Sequence, residues 1–270
     1  MTAQERLKAI RVKVERAMEH FRELGTEVRT YLDANPYVLG TKRDAESKRL
    51  IYYLISVQPT PLRISAILGD TIHNLRGALD HLAYQLVWIG TGALPSNHVY
   101  FPIADDATRY LKQRNEQMKG ARAQALSAID TLQPYRGGND TLWKLHKLNN
   151  VDKHRVLITA GSAFQSVNIG AHITRHLHEQ IAADSNHKQL AGFPTLDLYI
   201  RPADRMFPLK AGDELFIDAP DANVDKNLQF RFELAFSEPG VAMGEPIIET
   251  VQPMVQTVDD IVSQFEPLLA

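Results

Sequence analysis

Between Leu68 and Tyr84 the chain reads Leu-Gly-Asp-Thr-Ile-His-Asn-Leu-Arg-Gly-Ala-Leu-Asp-His-Leu-Ala-Tyr, a stretch dense in side chains that can move a proton or hold a charge. Turned as a helix at about 100° per residue, it gathers Ile72, Leu75, Leu79, Leu82 and Leu86 into a narrow apolar stripe. Asp70, His73, Asn74, Gly77, Asp80, His81 and Tyr84 collect on the opposite side, with Arg76 on the flank. A solvated helix face is ordinarily filled with Lys, Glu and Gln. Here no Lys or Glu occurs between Arg63 and Trp88. Imidazoles beside carboxylates are the parts of acid–base chemistry or of a metal site, and a glycine among them permits close approach.

A second cluster, Asn149-Asn-Val-Asp-Lys-His-Arg155, closes a later helical pattern. Leu142, Leu145, Leu148 and Val156 share one face, and Asn149 and Asp152 fall inside it. A buried carboxylate without a partner is costly, so Asp152 is expected to face a cation or several donors. The earlier helix offers His73, Arg76 and His81. Asp152 and Asn149 are therefore expected to meet its polar face, where a carboxylate fixes an imidazole's tautomer and raises its basicity. The same residues can equally form a satisfied network that sets helix register and does no chemistry. Trp143 reads as core, and Lys144, Lys147 and Lys153 read as a solvated face.

The elements that must position these groups follow from periodicity. Leu7, Ile10, Val14, Ala17, Phe21, Leu24, Val28 and Tyr31 repeat at steps of three and four, which predicts one long helix over 3–34. A charged loop from Thr41 to Lys48 precedes a strand at 50–57. Thr60 and Pro61 make an N-cap and first-turn pair for a helix at 61–89. Helices are expected at 105–118, 120–132 and 140–154. Strand composition marks 157–160, 164–173, 196–201, 214–218 and 227–236, the last with Leu228, Phe230, Phe232, Leu234 and Phe236 in strict alternation. A closing helix carries Ile248, Val251, Val255, Val258, Ile261, Val262 and Phe265, distorted or restarted at Pro253. The fold class is α+β: an N-terminal bundle of long antiparallel helices over 1–156, then a mostly antiparallel β-rich region with its closing helix over 157–270. The strand at 50–57 is expected to pair with that second region.

Composition narrows the function classes. At 270 residues, with 44% apolar and 23% charged side chains, the chain is typical of a globular protein with a substantial core. Thirty basic against 32 acidic residues leave a net charge of −2, so no global field draws nucleic acid or an acidic membrane. With no cysteine there is no disulfide, thiolate nucleophile or Cys-ligated metal. The first residues lack a secretory apolar core, and no apolar run approaches the roughly 20 residues that span a bilayer. A cytoplasmic protein with no membrane partner is expected. Four further histidines, His172, His176, His178 and His187, are scattered through a polar segment whose strand composition argues against a helical metal pair.

Arg76-Gly-Ala-Leu-Asp-His81 places four residues between an arginine and a histidine on a long bundle helix. This resembles the Arg-and-His motif, spaced by four to six residues, of HEPN domains (higher eukaryotes and prokaryotes nucleotide-binding). Many of those helical bundles are metal-independent endoribonucleases of defence and stress systems, with the motif lining a cleft commonly formed by two subunits. The resemblance implies RNA as a partner, a homodimer, no cofactor and no metal. It also implies Arg76 as the group that stabilises the phosphate in its transition state and His81 as the proton-transfer residue. Where that family usually has a polar residue after the arginine this chain has Gly77, so Asn74 or Asp80 must give the support, with His73, Asp70, Asn149 and Asp152 around them. The pairing of His-Asn-Leu-Arg-x-Ala-Leu-Asp-His with Asn-x-Asp-Lys-His-Arg is also similar to a pattern recurring in bacterial proteins of unassigned function.

Two other function classes fit the same residues. In a metal-dependent hydrolase, Asp70, His73, His81 and Asp152 would be ligands, although His73 and His81 lie two turns, about 12 Å, apart along the helix. In a non-enzymatic interaction module the polar face would be a structural or dimer-forming seam. RNA binding would need a local basic stripe, for which Lys112, Arg114, Lys119 and Arg122 are the available residues.

Overall fold

The computed structural model describes residues 2–154, 158, 160–170, 173–174, 198–202, 206–220, 222–226 and 228–270. The described chain is α+β, and the long helix at the start and the helix at the end fall where periodicity placed them. Helix α1 spans Ala3–Asp33, α2 Leu62–Thr91, α3 Ala107–Gln117, α4 Ala123–Thr131, α5 Asp140–His154 and α6 Ile247–Phe265. The strands are β1 Tyr37–Arg43, β2 Arg49–Val57, β3 Ala160–Asn168, β4 Tyr199–Ile200, β5 Glu214–Pro220 and β6 Gln229–Phe236. Among the described residues no helix is long and apolar enough to cross a membrane.

Two compact units interleave along the chain. The helical unit comprises Met1–Arg29, Pro61–Ala160 and Phe236–Ala270, and the other comprises Thr30–Thr60 and Gly161–Ala235. In the helical unit the expected stripes are core: Ile10, Ala17 and Leu24 on α1, Ile72, Leu75, Leu79 and Leu82 on α2, and Leu142, Leu145 and Leu148 on α5 are all 0% exposed. Contacts of α1 with α2 run Arg6 to Gln85, Lys13 to Asn74 and Glu27 to Arg63. One sequence climbs as the other descends, so the two helices are antiparallel as expected. Helix α6 runs unbroken through Pro253. The ring faces solvent there, where the missing N–H costs least, so the expected distortion gives way to one continuous helix. The first residue of α2 is Leu62 rather than Pro61, which itself holds the cap position with no side-chain bond from Thr60. Its end is set by Gly92, left-handed at φ 69°, whose N–H bonds the Trp88 carbonyl at 2.8 Å. Gly90 is obligatory: a Cβ there would lie 2.0 Å from the Gly120 backbone oxygen.

In the second unit one antiparallel sheet runs β1-β2-β5 and the other β4-β3-β6. The expected partnership of 50–57 with the later strands is realised as β2 against β5, with Ile51 opposite Ile217 and Tyr52 opposite Phe216. Strand β1 was not expected, because its Gly40, Lys42 and Arg43 give it no alternating apolar signal. It forms because β2 supplies a template from Tyr37–Val57 to Arg43–Leu50. Leu50, Tyr52 and Leu54 meet Phe164, Val167 and Leu215 in the core of this unit, and Phe230 and Phe232 pack against it. The strand expected over 164–173 stops at Asn168. Helical bonding follows, from Ile173 N–H to the Ile169 carbonyl (2.8 Å) and from the Thr174 hydroxyl to the Gly170 carbonyl (2.8 Å). His172, His176, His178 and His187 lie outside the described residues.

Candidate functional site

Helix α2 is buried on more sides than its sequence pattern indicates. Asn74 (9% exposed) and Arg76 (5%) join the apolar stripe in the interior. What reaches solvent is one seam: Asp70, His73 and His81 are exposed, and Gly77, Asp80, Tyr84 and Trp88 are half-buried. From 70 through 73, 77, 81 and 84 to 88 the steps are three or four residues, the spacing of one line along a helix. The polar face inferred from the sequence is therefore real but narrower, and its flank is turned inward.

Arg76 and His81 stand about 140° apart around the helix, at about 100° per residue. Arg76 Nη2 donates to the Phe101 carbonyl at 2.7 Å and pairs with Asp80 Oδ1 at 2.8 Å, while the Phe101 N–H donates to the same Oδ1 at 2.9 Å. The ion pair thus holds the backbone of one residue by both its N–H and its C=O, and Phe101 is 0% exposed. Burial lowers the Arg76 pKa and raises that of Asp80, and each partner's charge opposes the other's shift. Removing either side of such a pair strands a buried charge, at a cost of about 3–5 kcal/mol.

His81 occupies a different environment. With Asp80, Tyr84, Gln85, Asn97 and Val99 it lines an open cavity of about 510 Å³. Partial burial and the Lys13 ammonium push its pKa down, against the pull of Asp80 and of the Ala9 backbone. The imidazole is neutral at pH 7 and available as a proton acceptor or hydrogen-bond partner. Lys13 itself donates to Asn74 Oδ1 at 3.3 Å and its stem lies 4.0 Å from where a Gly77 Cβ would stand. Arg6 donates to Gln85 Oε1 at 2.8 Å and its guanidinium carbon lies 4.9 Å from the Trp88 ring centre.

At the other end of the seam, Asp152 meets α2 as expected. Its Oδ1 would be 2.5 Å from a Cβ on Gly69, so any larger residue there must push the carboxylate aside. Burial raises the Asp152 pKa, the nearby His73 lowers it and Asp70 raises it. Asn149 is 2% exposed on α5, and its Oδ1 has no hydrogen-bond partner among the described residues. Among the described residues no three of the His, Asp or Glu groups converge to hold a metal ion, so Asp70, His73, His81 and Asp152 form no ligand set.

Two expectations about basic residues change. Lys144 binds both oxygens of Glu245 at 2.6 Å, and Lys147 binds Asp105 Oδ1 at 2.6 Å, an oxygen that also accepts from the Trp143 indole at 3.0 Å. They are committed cations rather than a solvated row. In the proposed stripe, Arg114 pairs with Asp130 at 3.3 Å and Arg122 donates to the Ala270 carbonyl at 3.1 Å. Sequence reasoning also missed His146. It stands beside Arg76, and burial together with that guanidinium drives its pKa down to about 4. Leu142, Leu145 and Leu148 spaced around it were the available signal, since they place His146 at the edge of the buried face. In comparisons with known proteins, no family model, curated protein or solved structure matches the chain.

Proposed function

We propose that the chain is a non-enzymatic binding module whose ligand site is the cleft beside His81, and that Arg76 is part of its frame. The observation that carries this reading is the Arg76–Asp80 grip on the Phe101 backbone: a guanidinium 5% exposed and bonded to a backbone carbonyl is not presented to an incoming phosphate. The cleft offers a neutral imidazole, a tyrosine and the side chain of Asn97, which suit a polar ligand held by hydrogen bonds. The grip on Phe101 sets the chain entry beside Ser96 to Val99, which forms the other wall of the cavity.

A metal-independent ribonuclease of HEPN type, acting as a homodimer on RNA, is the second reading. His81 favours it: the imidazole is exposed, lines the cavity and is uncharged at neutral pH, the form needed to accept a proton from a ribose hydroxyl. One experiment separates the two. Wild type, Arg76→Ala and His81→Ala are incubated with structured and single-stranded RNA in EDTA, alongside melting curves and sedimentation. The binding-module reading expects no cleavage by wild type, a large loss of stability in Arg76→Ala, and an unchanged fold in His81→Ala. Cleavage by wild type that disappears in His81→Ala would replace it with the nuclease reading.

A further inference from the structure

Strand β6 buries its apolar stripe unevenly. Leu234 is 3% exposed, whereas Phe230 and Phe232, four and two residues earlier on the same side of the strand, are only half-buried. Beside them lies a cavity of about 260 Å³ lined by Leu32, Asn35, Tyr37, Leu39, Phe230 and Phe232. All six residues belong to the second unit. Tyr37 and Leu39 stand two apart on β1, an edge of its sheet among the described residues. Each strand thus contributes alternate side chains, from one of its faces, to the walls.

The lining restricts what can enter. Tyr37 and Phe232 stack with ring centroids 3.9 Å apart and planes 24° from parallel, so the wall is already a two-ring stack that a third flat ring extends. None of the described lining residues is charged. Arg231, between the two phenylalanines, alternates to the other face of β6, with its guanidinium carbon 3.9 Å from the Tyr199 ring centre. An ion here would give up hydration without gaining a counter-charge, so the ligand is neutral. An apolar cavity of about 150 Å³ accommodates benzene, and the larger space here suits a fused pair of rings. Asn35 supplies an amide side chain. With Leu32 it flanks the C-terminal end of α1, where carbonyls outnumber N–H groups and favour a donor. We propose that this cavity binds a small, uncharged, bicyclic heteroaromatic molecule carrying an N–H donor, stacked on the Tyr37–Phe232 pair with the donor toward Asn35 and the end of α1. The site shares no residue with the His81 cleft and stands whether or not that cleft holds a ligand.

Indole is the probe, titrated into the full chain and followed by ligand-observed NMR, with thermal melts to show that each variant is folded. Leu39→Trp sets a large ring into the cavity from a position 39% exposed. Asn35→Gly removes the amide and keeps the left-handed backbone, φ 52°, which glycine adopts freely. Wild type is expected to bind one indole per chain, Leu39→Trp to lose binding, and Asn35→Gly to bind about two- to tenfold more weakly, the worth of one hydrogen bond. Naphthalene, flat but without an N–H, should bind wild type and Asn35→Gly alike. Val38→Trp, outside the lining, adds the same bulk and should bind indole as wild type does. No binding by wild type up to the solubility limit of indole overturns the proposal, as does binding that a folded Leu39→Trp leaves intact. Tighter binding of tetramethylammonium than of indole also overturns it, because the rings would then form a cation cage. If Leu39→Trp does not fold, the contrast between indole and naphthalene in Asn35→Gly decides, and its absence counts against the site.

Discussion

The two sides of α2 are built from similar residue types and behave in opposite ways. On the side toward α5, Arg76 is enclosed and bonded to Phe101 and Asp80, and the half-buried His146 of α5 is held uncharged by burial and by that guanidinium. On the seam, His73 and His81 remain exposed, and His81 borders a cavity. A titratable residue on a helix is thus framework or reactive surface according to what packs over it, and five residues are enough to pass from one to the other. The difference is testable because framework residues register in stability and seam residues in binding.

The largest effect is expected at the framework. Arg76→Ala leaves the Asp80 carboxylate buried without its cation and frees the Phe101 carbonyl, and should cost about 3–5 kcal/mol in denaturant unfolding. A loss below about 1 kcal/mol would mean that solvent reaches the pair and that Arg76 belongs to the seam.

The next effect depends on pH. Burial and the Arg76 guanidinium push the His146 pKa down to about 4 in the fold, from the ordinary histidine value of 6.5. Between these values the unfolded chain takes up a proton that the folded chain does not, so stability falls as pH drops from about 6.5 to about 4 and then levels. The shift corresponds to on the order of 3 kcal/mol. Because Asp80 and Asp152, both raised, push the other way, the readout is wild type minus His146→Leu across that window. A difference that does not vary with pH would place His146 in contact with water.

A smaller effect sharpens the far end of the seam. Gly69→Ala sets a Cβ against the Asp152 carboxylate, and the short side chain can swing away at a cost of roughly 1 kcal/mol. The cost should vanish in an Asp152→Ala background, and a double-mutant cycle measures whether it does. Smallest of all, His81→Ala is expected to stay within about 0.5 kcal/mol of wild type in thermal unfolding, as exposed substitutions do. A larger loss would make His81 a framework residue and close the cleft as a ligand site.

Periodicity located the helices well because each apolar stripe must be buried regardless of its partner. The steps from Leu7 to Tyr31 and from Ile72 to Leu86 needed no knowledge of the neighbours. The arrival of Asp152 at α2 was also legible, since a carboxylate inside an apolar face requires company. Strand β1 was not, because its pairing with β2 is a long-range fact that Gly40 and Lys42 do not announce. Nor was the inward turn of Arg76: a helical wheel gives angles between residues, not the number of elements packed around them.

The amino-acid order by itself determined the α+β class, the polarity of one line along α2, and the absence of any cysteine chemistry. Only the tertiary structure decided that Asn74 and Arg76 are enclosed while His73 and His81 stay open. The physical reason is that periodicity reports a residue's direction from its own helix axis, whereas burial is set by the atoms other segments bring to that direction. For Arg76 that segment is the Phe101 peptide, twenty-five residues away in the chain.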